Sequence, residues 1–365
     1  MYHHYEEEQT EMAEAVLRGL QPLEATQSEQ AWQRLTQVGL PLLAVPEEQG
    51  GLASDPRTFH AVAEALGRCL QSTPLATSAL VATRLIDQLA APPLRGRVLE
   101  SLAAGELMLG LAWSEAQAHF DPAGAQTTAR ATADGWSVSG RKEASVHSGN
   151  VAQSIVNART DNGEALLLLI AQDTPGLTLR RYECLDGSQA CDLDLQDVQV
   201  DRGRQLGAAG AATQAALQAA CDLGELALCA EAVGIMARLL DDTVRYAKER
   251  RQFGAAIASF QAVQHRLVEM LVALEQARSL AWLLALEFDT ATAQRRSFLA
   301  SAAKVRCITS ARFIGLQSIH LHGGMGMTDE LPVGHGVKRL LAIENTFGNE
   351  AHHLDRIARA APAHH

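Results

Sequence analysis

A chain of 365 residues is long enough for two or three structural units around shared cores. Its net charge of −11 argues against nucleic acid as a main partner, because phosphate binding needs clustered cations. Hydrophobic residues make up 47% but aromatics only 4%, so alanine and leucine build the core and helices are favoured over sheets.

Residues 1–16 hold no basic segment followed by an apolar one, so no signal peptide is expected there. The pairs His3-His4 and His364-His365 are too isolated for a metal site. Leu17, Leu20 and Leu23 fall at helical spacing, and Trp32, Leu35, Val38 and Leu42 continue it. Residues 46–51 read as a loop, with Gly50 and Gly51 supplying the turn. Apolar helices follow at 61–70 and 80–89. The period changes near Leu111. Residues 135–140 alternate between glycines and predict a hairpin strand. Short apolar strands are expected at 165–171 and 177–179. Cys191, Leu193 and Leu195 alternate with Asp192, Asp194 and Gln196, which predicts one buried and one wet face. Several strands at this spacing suggest a small barrel or sandwich.

After Gly207 the period is helical again. Residues 211–250 are alanine-rich and free of proline. Phe260, Val263, Leu267, Met270, Leu271 and Leu274 mark one stripe of the next helix, and 298–320 predict another. No stretch reaches the ~18 apolar residues of a membrane span. The six cysteines form no CxxC pair and read as reduced, mostly buried thiols of a cytoplasmic protein.

Two motifs carry chemistry. The run 248–270, KERRQFGAAIASFQAVQHRLVEM, joins a cationic helix end to an Arg-x-Phe-Gly break and a second helix. Cations also offset a helix dipole there, so Arg251 alone reads as a solvated cap. Arg250 is followed at once by Phe253-Gly254 and then Gln261, which a cap does not require. The second motif spans His320 to Pro332 and holds Gly323, Gly324 and Gly326, where backbone N–H groups can approach a phosphate or flavin closely. His322 reads as a hydrogen-bonding loop residue. The two motifs are expected at opposite ends of one helix bundle.

Together, in this order, they resemble the acyl-CoA dehydrogenase family. The resemblance implies an α+β, mainly α fold: an N-terminal α-helical domain at 1–110, a middle β-domain at 111–207 and a C-terminal four-helix bundle at 208–365 that drives tetramer formation. It implies FAD as cofactor, an acyl-CoA substrate and an electron-transfer flavoprotein as electron acceptor. Arg250, Phe253, Gln261, Gly323 and Gly324 match positions that hold FAD, with Arg250 and Phe253 usually serving the neighbouring subunit. Ser114 matches a hydroxyl position in the middle domain. Ala144 and Val146 stand where tryptophan and threonine are common, and His320 where glutamine is.

Dehydrogenation also needs a carboxylate to take the weakly acidic α-proton. The usual family position for that glutamate falls on Phe347, followed by Gly348. Glu344 and Glu350 each lie roughly one helical turn away and read as surface or cap residues. A minority branch carries the base on the earlier long helix, where the position falls on Gly224 with Glu225 beside it. Glu225 is the first candidate, with Glu231 and Asp222 behind it. Glu231 lies in an alanine-rich stretch where an unpaired carboxylate is costly, so it should have a partner. The segments around Lys338-Arg339 and His352-His353 are similar to the small subunits of heteromeric acyl-CoA dehydrogenases. Three functions stay open: a dehydrogenase subunit, a silent subunit completing a partner's FAD site, and a same-fold oxidase or hydroxylase.

Overall fold

The computed structural model describes residues 5–20, 28–148, 151–328 and 331–360. Leu23, both terminal His-His pairs, Asp329 and Glu330 lie outside the described residues. In chain order come α1 (Glu7–Leu20), α2 (Ser28–Gln37), α3 (Pro56–Arg68), a π-helical segment (Leu75–Ala82) leading into α4 (Thr83–Leu89), and α5 (Pro92–Ala103). Eight strands follow: β1 (Leu109–Ala112), β2 (Thr128–Ala131), β3 (Gly135–Val146), β4 (Gln153–Thr160), β5 (Ala165–Ala171), β6 (Leu177–Glu183), β7 (Gln189–Asp201) and β8 (Gln205–Leu206). The remainder is α6 (Ala211–Glu249), the short β9 (Arg251–Gln252) and β10 (Ala255–Ala256), α7 (Gln261–Glu287), α8 (Ala293–His322), α9 (Pro332–Glu344) and α10 (Glu350–Ala360). Contacts divide the chain into two units: residues 1–34, 56–72 and 225–365, and residues 35–55 and 73–224.

The second unit is built on one mixed eight-stranded sheet. Its strand path is β6-β7-β3-β2-β4-β5-β8, with β1 also on β4. β1 and β2 both run parallel to β4. Val138, Val156, Leu168, Ile170, Leu193 and Leu195 lie in its core, Leu193 and Leu195 as their alternation predicts. Asp192 corrects that pattern, because it is buried on the face expected to be wet. Its carboxylate accepts from Ala144 N at 3.1 Å, Tyr182 Oη at 3.0 Å and Arg180 Nη2 at 2.8 Å. Those donors hold the carboxyl below its ordinary value against the opposing effect of burial.

The first unit is helical. α7 packs along α8, α9 and α10 pack on α8, and α1 and α7 both pack on α3. From Glu225 to Ala237 every residue of α6 is buried, as suits a helix that is apolar all round. α3 and α6 touch backbone to backbone. A Cβ on Gly67 would overlap the Glu231 carbonyl oxygen, and one on Gly234 the Glu64 carbonyl oxygen. Met270 and Leu274 of the predicted α7 stripe are buried, but Leu271 and Phe260 are exposed. Val268 and Val272 are exposed as well, so α7 carries a second apolar face turned outward. No helix among the described residues is long and apolar enough to cross a membrane.

Candidate active site

The chain leaves α6 through a tight hairpin. β9 and β10 pair Gln252 with Ala255, so Phe253-Gly254 is a two-residue turn. Both residues take left-handed φ, 52° and 82°, the backbone that matches the twist of such hairpins. Glycine does this without steric cost; phenylalanine does not. The Phe253 side chain is 94% exposed and meets Phe260 edge-on at 6.2 Å. A strained, exposed aromatic is a candidate contact for a bound group. Arg250 and Gln261 flank it, both exposed.

α8 ends at Gly323, φ 62°, and a 3-10 turn runs from Gly323 to Met327. A Cβ on Gly254, Gly323 or Gly324 would meet nothing within 4 Å, so these turns border open space. Gly326 instead packs on Ile319. His322 Nδ1–H donates to the Ser318 carbonyl at 2.8 Å, and its ring stacks on Tyr246 at 4.4 Å. Tyr246 Oη donates to the His322 carbonyl at 3.3 Å. His322 is thus a loop-fixing residue. These contacts also pin the ends of α6 and α8 together. The two motifs therefore share one end of the bundle rather than lying at opposite ends, because α7 takes the return path between them.

Glu225 is some 25 residues earlier on α6, about 37 Å along a helix rising 1.5 Å per residue. It is 1% exposed. Oε1 accepts from Arg356 Nη1 at 2.9 Å, and Oε2 lies 4.0 Å from His353 Nδ1. Nearby, the fully buried Lys304 donates from Nζ to the Thr346 carbonyl at 2.5 Å, just ahead of Phe347. Burial pushes both the Lys304 ammonium and the His353 imidazolium below their ordinary values. Phe347 is buried at φ 59°. A Cβ on Gly348 would come within 2.7 Å of His353 Nε2, so only glycine fits. Glu225 and Phe347, the two places where a base is sought, thus converge on one buried cluster.

The other carboxylates are committed elsewhere. Glu344 and Glu350 both bind the Arg312 guanidinium. Asp222 accepts from Gln218 Nε2 at 3.1 Å. Glu231 pairs bidentately with Arg339 at 2.6 and 2.9 Å, the partner its burial requires.

Ser114 belongs to the sheet unit. It is half-buried between the buried Trp113 and Glu115, and its carbonyl accepts from Glu143 N at 2.9 Å. Ala144, where tryptophan is common in the resembling family, sits at φ 51° in an irregular stretch of β3. The sequence reading missed Lys142, whose Nζ donates to Glu115 Oε1 at 2.5 Å and Asn157 Oδ1 at 2.6 Å with no exposure at all. The available signal was a lysine inside a strand opposite a carboxylate in the preceding loop.

Family models for the acyl-CoA dehydrogenase N-terminal, middle and C-terminal domains match residues 6–106, 110–198 and 213–361. The chain belongs to the acyl-CoA dehydrogenase family. It is 32% identical to the short-chain specific acyl-CoA dehydrogenase, mitochondrial, of Homo sapiens, over 80% of this chain and 73% of that protein. It is 30% identical to the probable acyl-CoA dehydrogenase YngJ of Bacillus subtilis (strain 168), over 86% of this chain and 83% of that one. Among solved structures, the Tcur3481-Tcur3483 steroid ACAD is similar with a TM-score of 0.85 at 28% identity, covering 97% of each chain.

The cofactor of this enzyme family is FAD, and the residues present fit it. Arg250 offers an exposed cation for a pyrophosphate, and Phe253 an uncovered aromatic face. Gly323 and Gly324 leave room for close backbone approach.

Proposed function

We propose that this chain is one subunit of a heteromeric, cytoplasmic acyl-CoA dehydrogenase with a related large subunit as partner. The assembly, a tetramer, oxidises an acyl-CoA to the 2-enoyl-CoA and passes the electrons to an electron-transfer flavoprotein. FAD, when bound, accepts the β-hydride. Arg250, Phe253, Gln261, Gly323 and Gly324 are the proposed FAD contacts of the helical unit, and Ser114 that of the sheet unit.

One observation carries the reading. The Arg250 junction and the buried Glu225 cluster stand about 37 Å apart on α6, beyond the reach of one cofactor. Arg250 and Phe253 then serve an FAD whose remaining contacts come from another chain. Similarity to a steroid ACAD named for two chains supports unlike subunits.

Glu225 is the proposed acceptor of the α-proton, and to act it must release Arg356. That contact, with Phe347 at the usual place, favours a second reading: the partner supplies the base, and this chain completes the partner's FAD site.

Anaerobic titration of the co-purified assembly with a panel of acyl-CoAs tests both. The visible flavin band should bleach. Glu225→Gln should slow bleaching by about 10²-fold or more if Glu225 is the base. Unchanged bleaching in that variant moves the base to the partner, and flavin that no acyl-CoA bleaches contradicts the dehydrogenase reading.

A further inference from the structure

The loop between β1 and β2 carries backbone strain. His119 and Phe120 follow one another at φ 47° and 66°, where L side chains crowd their own backbone. The stretch reads Ser114-Glu115-Ala116-Gln117-Ala118-His119, with no glycine to relieve it. Such a conformation persists only where its surroundings over-determine it.

The anchor is the Glu115 carboxylate. Oε2 accepts from Gln126 N at 2.7 Å. Oε1 accepts from Thr127 N at 3.1 Å, Thr127 Oγ1 at 2.7 Å and Lys142 Nζ at 2.5 Å. Lys142 continues to Asn157 Oδ1, and Asn157 Nδ2 donates to the Pro122 carbonyl at 3.3 Å. One lysine thus ties the start, the middle and the end of the loop to β3 and β4. Both charges are buried: Lys142 is 0% exposed and Glu115 4%. Replacing a buried ion pair by uncharged groups of similar shape often leaves a fold as stable as before, so stability alone does not account for this one. Ser114 is the half-exposed residue between two buried ones. Its carbonyl is bonded by Glu143 N, the residue after Lys142.

We propose that the buried Lys142–Glu115 pair is the positioning device for Ser114, holding the 113–127 loop in its FAD-binding shape. The inference rests on the reading of Ser114 as an FAD contact. Lys142 and Glu115 touch neither FAD nor substrate; they act through the loop.

The test uses the co-purified assembly carrying Glu115→Gln with Lys142→Met, which removes both charges at nearly constant volume. The double variant should keep its circular dichroism and assembly state. Its FAD dissociation constant should rise at least about tenfold, the weight of one hydrogen-bonded contact. The visible flavin band should change shape, reporting an altered environment. Ser114→Ala should cost FAD affinity in the unaltered protein and nothing further in the double variant, because coupled sites are not additive. Three results overturn the proposal: FAD affinity and spectrum unchanged in the double variant, full additivity with Ser114→Ala, or loss of the whole fold, which would make the pair a general structural element. Failure of the underlying reading looks different: Ser114→Ala would leave the FAD affinity of the otherwise unaltered assembly unchanged, and the proposal falls with it.

Discussion

Glu231 and Arg339 show what a buried charge needs. The carboxylate lies in an alanine-rich helix, and its bidentate partner comes from α9. Arg339→Leu leaves Glu231 stranded and should cost about 3–5 kcal/mol in denaturant unfolding, whereas adding Glu231→Leu should recover most of that loss. His353 makes the cluster around Glu225 sensitive to acid. Burial, with Lys304 beside it, holds the ring far below its ordinary value of 6.5, so the folded chain keeps it neutral. The unfolded chain takes up a proton near that value. The stability contributed by the neutral ring is therefore complete above pH 6.5 and declines as pH falls below it. The slope approaches about 1.4 kcal/mol per pH unit. His353→Gln should flatten stability between pH 7 and 5; an unchanged slope assigns the titration elsewhere. At this scale the sequence was legible where a cost demanded a partner, as at Glu231. It was silent where closure of a network depends on several strands. Asp192 and Lys142 are charges in alternating strands, which pattern assigns to water, and their partners come from β3, β4, β6 and the β1–β2 loop.

Elements were legible where one residue type alone meets the geometry. The Phe253-Gly254 turn stands out because its backbone disfavours phenylalanine, so a phenylalanine there needs a reason. The order helices, strands, helices followed from period alone, and 165–171 fell on β5. Relative placement did not follow. Pattern alone missed that α7 returns the chain and brings the ends of α6 and α8 together. Nor does period show which of two apolar faces of α7 is covered. The α3–α6 crossing gives the sharpest test at this scale. Gly67→Ala and Gly234→Ala each push a methyl into a carbonyl oxygen and should each cost about 1–3 kcal/mol, read as a lower melting temperature. Gly96→Ala in α5 meets nothing within 4 Å and should instead be neutral or stabilising by up to about 1 kcal/mol. Equal effects at all three positions would remove close approach as the reason for the two glycines.

For the whole molecule, the separation along α6 between Glu225 and the Arg250 junction is the central feature. Its C-terminal end presents Arg250 and an uncovered Phe253; Glu225 is buried in the body of the helix, beside the turn holding Phe347. On the proposed reading the chain is half of a junction, and FAD belongs to assembled chains. Sedimentation velocity followed at the visible flavin band tests this most directly, on this chain alone and with its co-expressed partner. Flavin should sediment only with species of two or more chains, and Arg250→Ala should strip it from them. Flavin sedimenting with a single chain, undiminished by Arg250→Ala, would contradict that reading.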